Sequence, residues 1–457
     1  MIDNNRFSLF HRFIFFLLRV FYDQFEIDGR EKIPANKVLF VANHPNGLLD
    51  PIILMLVLNQ KIRFLAMSRL FAMPVIGWAC RQFQALPIYR GSDIGRKGGP
   101  KDKEDASLKN EQTFAASRTH LQNGGYLALF PEGSTHSDPQ MLPMRTGAAR
   151  VALSTEAEND WEVGLTVVPV GFWYERKRMF RSSVFLKVGI PFTLNDYRQN
   201  YENDDRETVR TLTERIGTEL DEIVLQAEEI EVLRAAPFIA NWVATPEQTD
   251  ELHEVYDWSN RLLNAYMTLR AHDPDRLEAV VDTLQDFAKD LRMMGITDPW
   301  SLEIDEKRGR LMRSIIWLVL SAPFALLGLI FGYIPFRATG WIANTVMADD
   351  TTQTSLVKAL GGFVFFFVTW VVGTILFWVF GSGYWAVLFF LLAPALCALT
   401  MEWIEVWNSL RSLQRHQQVR RRKGEEAELL LAQREEVATE VLDAVRFAES
   451  LDTAETS

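Results

Sequence analysis

KVLFVANHPNGLLDPIILMLVL, residues 37–58, sets two apolar runs on either side of a polar hinge containing Asn43, His44, Pro45, Asn46 and Gly47. From Lys37 onward such runs recur: VLFVAN, PIILMLVL, RQFQALPIY, YLALFPEG, LTVVPVGFWY and VFLKVGIPF, separated by polar stretches with helical spacing. This alternation predicts an α/β domain whose strands are buried on both faces. Gly and Pro close several of the runs, so their ends become loops in which side chains converge.

The hinge itself carries candidate chemistry. An imidazole removes a proton from an alcohol near neutral pH when a carboxylate orients its other nitrogen and offsets the charge it acquires. His44 and Asp50 have five residues between them, which puts them on different faces of a continuous helix, so they meet only if Pro45-Asn46-Gly47 forms a turn. The alternative is structural: Asp50 before Pro51 and an apolar run is the signature of an N-cap followed by Pro at the first helical position. Both roles stay open, and they can coexist.

Two further loops bear on that choice. ALFPEGSTHSD ends an apolar run in Glu132, Gly133 and Ser134, an acid, open backbone N–H groups and a hydroxyl in one loop of the kind that binds polar head groups or oxyanions. No G-x-S-x-G elbow surrounds Ser134, which argues against a serine hydrolase. ALPIYRG ends in Arg90, a fixed cation with bidentate geometry for phosphate.

Composition bounds the rest. A chain of 457 residues that is 48% hydrophobic accommodates one large core and an appendage. A net charge of −11 makes nucleic acid a poor partner. Cys80 and Cys397 lie far apart in unlike surroundings, so neither a disulfide framework nor a metal site is expected.

Residues 1–24 are read as an interfacial amphipathic helix and not a cleaved signal. Phe7, Phe10, Ile14, Leu17, Leu18 and Phe21 form its apolar face, with Arg12 and Arg19 at the flanks. The alternative is a helix packed on the protein's own core. Residues 25–204 are the expected catalytic domain, in which 91–110 is glycine- and charge-rich and reads as a mobile loop. Residues 205–311 should be packed helices, broken near Thr245-Pro246 and Asp273-Pro274.

Three uncharged apolar runs follow, 315–334, 360–380 and 384–399, the third marginal for about 30 Å of hydrocarbon; 312–403 is the expected transmembrane region. Lys307, Arg308, Arg310 and Arg313 precede the runs, and Arg411, Arg415, Arg420, Arg421, Arg422 and Lys423 follow them. Both flanks should therefore face the cytoplasm, making an integral membrane protein with its catalytic domain on that face. This requires an even number of crossings, so one run is re-entrant, interfacial or split. Residues 404–457 read as a charged, solvated helical tail.

Taken together, VANHPNGLLDP, LPIYR, LFPEGSTHSD with LPMRTGAARVAL, and VVPVGF resemble, in order and approximate spacing, the four blocks of the glycerolipid acyltransferases, the glycerol-phosphate and lysophosphatidate enzymes. The resemblance covers roughly residues 25–192. The common family pattern has one residue fewer between His and Asp. The fungal-type glycerol-3-phosphate acyltransferases are similar in that spacing, in a histidine after the glutamate-glycine loop (His136), in an FRS stretch (Phe180-Arg181-Ser182) and in membrane spans after the catalytic part.

The resemblance implies acyl transfer from a thioester, acyl-CoA or acyl carrier protein, to glycerol 3-phosphate in phospholipid biosynthesis, or else to 1-acylglycerol 3-phosphate, with no bound cofactor. Membrane lipids are the other implied partners. It implies His44 as general base, Asp50 as its orienter, and Arg90, Glu132, Gly133, Ser134 and Arg145 as acceptor-binding residues. Where the family has EGTR, Glu132-Gly133-Ser134-Thr135 lacks the arginine, so Arg145, Arg181 and His136 are the candidates for that charge. Pro169 is expected to shape a strand end beside the acyl donor. The rival from another class is a non-catalytic membrane lipid-binding scaffold. Oligomeric state, donor and acyl chain length stay open.

Overall fold

The computed structural model describes residues 7–96, 99–177, 179–244, 251–296, 308–346, 354–422 and 424–455. Lys97, Gly98, Thr245, Pro246, Lys307 and Lys423, on which some expectations above fall, lie outside them. The chain divides into two units, Met1–Glu228 with Asp350–Ala359, and Glu229–Asp349 with Leu360–Ser457.

The first unit is built on eight strands: β1 (Tyr22–Asp28), β2 (Val38–Ala42), β3 (Ile62–Met67), β4 (Leu86–Ile88), β5 (Tyr126–Leu129), β6 (Thr166–Tyr174), β7 (Ser182–Val188) and β8 (Phe192–Thr193). Their order is β1-β7-β6-β2-β5-β3-β4, with β8 also on β6. The run from β6 through β2, β5 and β3 to β4 is parallel, and β6 meets β7 antiparallel. Helices α1 (Leu9–Phe21), α2 (Leu49–Leu58), α3 (Ser68–Phe71), α4 (Pro74–Gln82), α5 (Lys103–Gln122), α6 (Gly147–Ala157), α7 (Arg198–Asn203) and α8 (Asp205–Asp221) complete it.

Alternation along β2 explains the layers. Val38, Phe40 and Ala42 join one core with Phe15 and Leu18 of α1, Ile53 of α2 and Cys80 of α4. Leu39 and Val41 join the other, with Leu121 of α5, Leu153 of α6 and Leu212 of α8. A strand covered on both faces must be apolar throughout, and VLFVA is wholly buried.

Several sequence expectations are corrected here. PIILMLVL is the helix α2, not a strand: it is apolar on all sides because it is buried on nearly all sides, and periodicity cannot separate the two cases. The strand is instead β3, IRFLAM, in which buried and half-buried residues alternate with Arg63 among the half-buried. Residues 91–110 are not wholly a loop: Asp102 caps α5, whose first turns include 103–110, Asp93 is buried, and Asn110 exchanges two 2.8 Å bonds with the Tyr89 backbone. The helical region does not start at 205, since α8 packs into the sheet domain.

Helix α1 packs on the protein's own core, as the alternative reading has it. Phe7, Leu17, Leu18 and Phe21, assigned above to the lipid side, are buried against the sheet, with Phe10 and Ile14 packed beside them. Leu9, Phe13, Phe16 and Val20 form a second stripe that is exposed. Residues 1–24 are therefore not a separate element from the catalytic domain.

The second unit contains α9 (Ile230–Val243), α10 (Leu252–His272), α11 (Pro274–Met294), α12 (Arg308–Val346), α13 (Thr354–Phe380), α14 (Gly383–Arg422) and α15 (Gly424–Glu455). Among the described residues, three stretches are long and apolar enough to cross a membrane: Leu311–Ile342, Gly361–Phe380 and Gly383–Arg411. The third run is thus not marginal, because α14 continues unbroken past residue 403. The solvated tail is also corrected: Leu430, Val437, Val441, Val445 and Ala448 of α15 are buried in one core with Val243, Leu269, Phe287 and Leu291 of α9, α10 and α11.

Candidate active site

The site lies at the C-terminal ends of β2, β3, β4 and β5, where parallel strands release the chain into loops. Past β2, Asn43 prolongs the sheet with its side chain, accepting from Phe172 N–H at 2.7 Å and donating to Phe172 O at 3.1 Å. That leaves the next residue, His44, at a fixed exit. Its ring lies 4.1 Å from that of Phe130 in a stacked arrangement, and its backbone N–H donates to Glu132 Oε1 at 2.8 Å.

Gly47, at φ 58°, turns the chain so that Asp50 comes back to the histidine, with Nδ1 and Oδ2 2.9 Å apart. Asp50 is fully buried. Its Oδ2 also accepts from Asn46 N–H at 2.8 Å, and its Oδ1 accepts from the Tyr174 hydroxyl at 2.6 Å. Three donors and the N-terminal turn of α2 make this an ionised acceptor, so His44 Nδ1 carries the proton and Nε2 keeps its lone pair. The capping alternative fails in its simple form: the N-cap is Leu48, with no side-chain cap bond, and Asp50 sits inside the first turn. Burial first, then Asp50, holds the Tyr174 phenol far above its ordinary range, so it remains a donor.

Glu132, also buried, organises the adjoining loop. It accepts from His44 N–H, from Leu142 N–H at 3.0 Å and from His136 Nε2. Burial pushes its carboxyl up, but these bonds outweigh it and hold it below the ordinary range. Gly133, at φ 69°, holds the left-handed conformation that favours glycine, and a Cβ there would lie 2.5 Å from the Arg145 side chain. Its carbonyl accepts from Arg90.

A cavity of about 1190 Å³ opens beside these groups, lined by His44, Arg90, Gly133, Ser134 and Arg145 among the predicted residues. Arg69 and Arg150 line it too, and sequence reasoning missed both. Burial, then the neighbouring Arg145 and Arg69 charges, lowers the Arg90 pKa, the signature of like charges sharing a space. Arg69 follows β3, so recognising IRFLAM as a strand would have pointed to its exit.

The other candidates lie elsewhere. His136 holds Glu132 and does not line the cavity. Arg181 is 2.5 Å from Asp23, away from the arginine group. Pro169 is within β6 and not at its end, level with Val41, between the rungs to β8 and to β7 where its missing N–H costs no ladder bond.

Residues 24–173 match the family model described as Acyltransferase. An uncharacterized acyltransferase of Schizosaccharomyces pombe is 23% identical over 76% of this chain and 63% of its own length. Glycerol-3-phosphate O-acyltransferase 2 of Saccharomyces cerevisiae is 25% identical over 58% of this chain and 36% of its own. A chloroplastic 1-acyl-sn-glycerol-3-phosphate acyltransferase of Brassica napus is 29% identical over 32% and 36%. The chain thus spans about a third to two thirds of the length of these relatives.

Proposed function

With residues 24–173 an acyltransferase domain of the glycerolipid acyltransferase family, we propose that this chain is a membrane-bound O-acyltransferase that moves a fatty acyl group from an acyl thioester to glycerol 3-phosphate. The carrying observation is a buried carboxylate 2.9 Å from His44, at a cavity that also holds four arginines. His44 Nε2 takes the proton of the acceptor hydroxyl as its oxygen attacks the thioester carbonyl. The tetrahedral intermediate collapses, the C–S bond breaks, and the thiolate recovers the proton from the imidazolium. No acyl-enzyme is needed.

Asp50 keeps the ring in the right tautomer and offsets its transient charge, while Asn46 N–H and Tyr174 keep Asp50 in place. Arg69, Arg90, Arg145 and Arg150 supply the fixed charge a phosphate dianion requires. The Brassica relative, by its name, supports 1-acylglycerol 3-phosphate as the alternative acceptor. Membranes containing the chain, assayed with acyl-CoA and each acceptor in parallel, decide between them. Thiol release with glycerol 3-phosphate supports the proposal, turnover of 1-acylglycerol 3-phosphate alone moves it to the alternative, and none with either acceptor or either donor leaves the scaffold. Arg69→Gln should raise the acceptor KM severalfold and leave the donor KM unchanged.

The second unit supports a cytoplasmic placement of both flanks. The chain before α12 and after α14 joins one bundle, so both lie on one side of the membrane. Trp403 donates to Leu318 O at 3.0 Å and Thr400 to Ala325 O at 2.8 Å, so α12 and α14 run antiparallel as two crossings. Gly362 of α13 meets Thr339 near the far end of α12, and α13 ends just before α14. Cysteines at Lys289 and Ser450 should label from the cytoplasmic side and one at Ser382 from the other; Cys80 and Cys397 are buried and give little background. Labels at 289 and 450 from opposite sides would overturn this topology.

A further inference from the structure

We propose that a second cavity, at the opposite end of the sheet from His44, is a phosphate-binding site separate from the catalytic one. It measures about 230 Å³ and is lined by His11, Lys61, Arg63, Gln82, Gln84 and His120, with no Asp or Glu among its lining residues. Lys61 and Arg63 stand at the start of β3, whereas Arg69 follows its end, so the length of a strand, about 20 Å, separates the two cavities.

The strongest sign is Arg63, whose Nε is sealed from solvent with no hydrogen-bond partner. A buried donor left unpaired is rare and costly, and a guanidinium more so. The nearest ends of α2, α4 and α5 are C-terminal, and their carbonyl ends favour cations there, but none accepts from this nitrogen. An anion in the cavity would complete it. His120 donates from Nε2 to Tyr126 O at 3.1 Å, so its other nitrogen is an acceptor in the neutral ring, whereas His11 pairs Nδ1 with the Ser8 hydroxyl at 2.6 Å and can offer Nε2–H to a ligand. Burial first, and the adjacent cation second, Lys61 for His11 and Arg63 for His120, lower both histidines.

Two cations, the His11 imidazole and two amides in a space of this size fit a tetrahedral oxyanion. Ser8 caps α1, whose outer stripe of Leu9, Phe13, Phe16 and Val20 is exposed, so a lipid phosphate is one source of the anion and free phosphate the other. The site is independent of the acyl-transfer reading, and its test uses binding and not turnover.

Full-length protein in detergent is compared with Lys61→Gln/Arg63→Gln and with Arg90→Gln. Retained phosphatidic acid and phosphatidylcholine are counted by native mass spectrometry, and inorganic phosphate is titrated by thermal shift. The parent should hold two phosphate-bearing probes per chain; the double variant should bind one of them about tenfold more weakly or worse and keep the other, whereas Arg90→Gln should keep the one the double variant loses. Loss confined to phosphatidic acid identifies a lipid headgroup, and loss confined to inorganic phosphate identifies a soluble ligand. Unchanged binding in the double variant, or loss in Arg90→Gln alone, overturns the proposal. If the double variant fails to fold by circular dichroism, Arg63→Gln alone is read by the same criteria.

Discussion

The sheet domain and the α12–α14 pair are built by opposite placements of the same residue types. Around β2 every large apolar side chain is buried, and polar groups collect where the strands end. In α12 many large side chains point outward, Val319 67% exposed, Leu320 70% and Ile330 65%, while its Gly328 lies against Thr400 of α14. The difference follows from the solvent. In water, apolar burial drives packing, and leaves the loops free to be specialised. In lipid, outward leucines gain nothing by leaving, so close backbone approach and a few hydrogen bonds hold the helices together. A Cβ on Gly328 would lie 2.2 Å from Leu396 O.

The comparison implies that chemistry and assembly can be broken separately. His44→Ala should cost about two to four orders of magnitude in acyl transfer, as general-base removal does, with the melting temperature of the sheet domain little changed. Asp50→Asn should follow it in activity. Near-parental turnover in either variant would end the relay assignment. Gly328→Val should act on the other region: α12 and α14 must part, and solubilised protein should become protease-sensitive between 311 and 411 while the catalytic domain resists. Equal protection in variant and parent would show that the seam does not hold the pair.

The smallest effect sharpens the sheet side. Its hydrogen bond to Glu132 holds His136 above the ordinary 6.5 against the effect of burial, and Glu132 lies below its ordinary 4.5. The histidine's contribution is complete below 6.5 and fades as pH rises through the raised value. The glutamate's is complete above 4.5 and fades as pH falls through the lowered one. His136→Gln should thus destabilise most between pH 4.5 and 6.5 and least in alkali, measured by thermal denaturation. A cost that grows toward alkaline pH would mean that the pair is not charged.

The α/β class, the long apolar segments and the residues His44, Asp50, Arg90, Glu132 and Gly133 were legible in the linear order, because strand ends, Gly-Pro hinges and charge-free runs are local patterns, whereas Arg145 came only from the family resemblance. Local pattern could not decide that PIILMLVL is a helix, since a run buried on all sides has no face to display, and the strand IRFLAM was obscured because it is short and carries an arginine. With β3 unrecognised, Arg69 had no place at its exit, and Arg150 joined the cavity only through the packing of α6. Which face of α1 meets the sheet, which residue caps α2, and the use of α15 as a bundle helix were likewise settled by partners distant in sequence. Tyr174 reaches Asp50 across 124 positions, a contact that exists only because β6 lies beside β2.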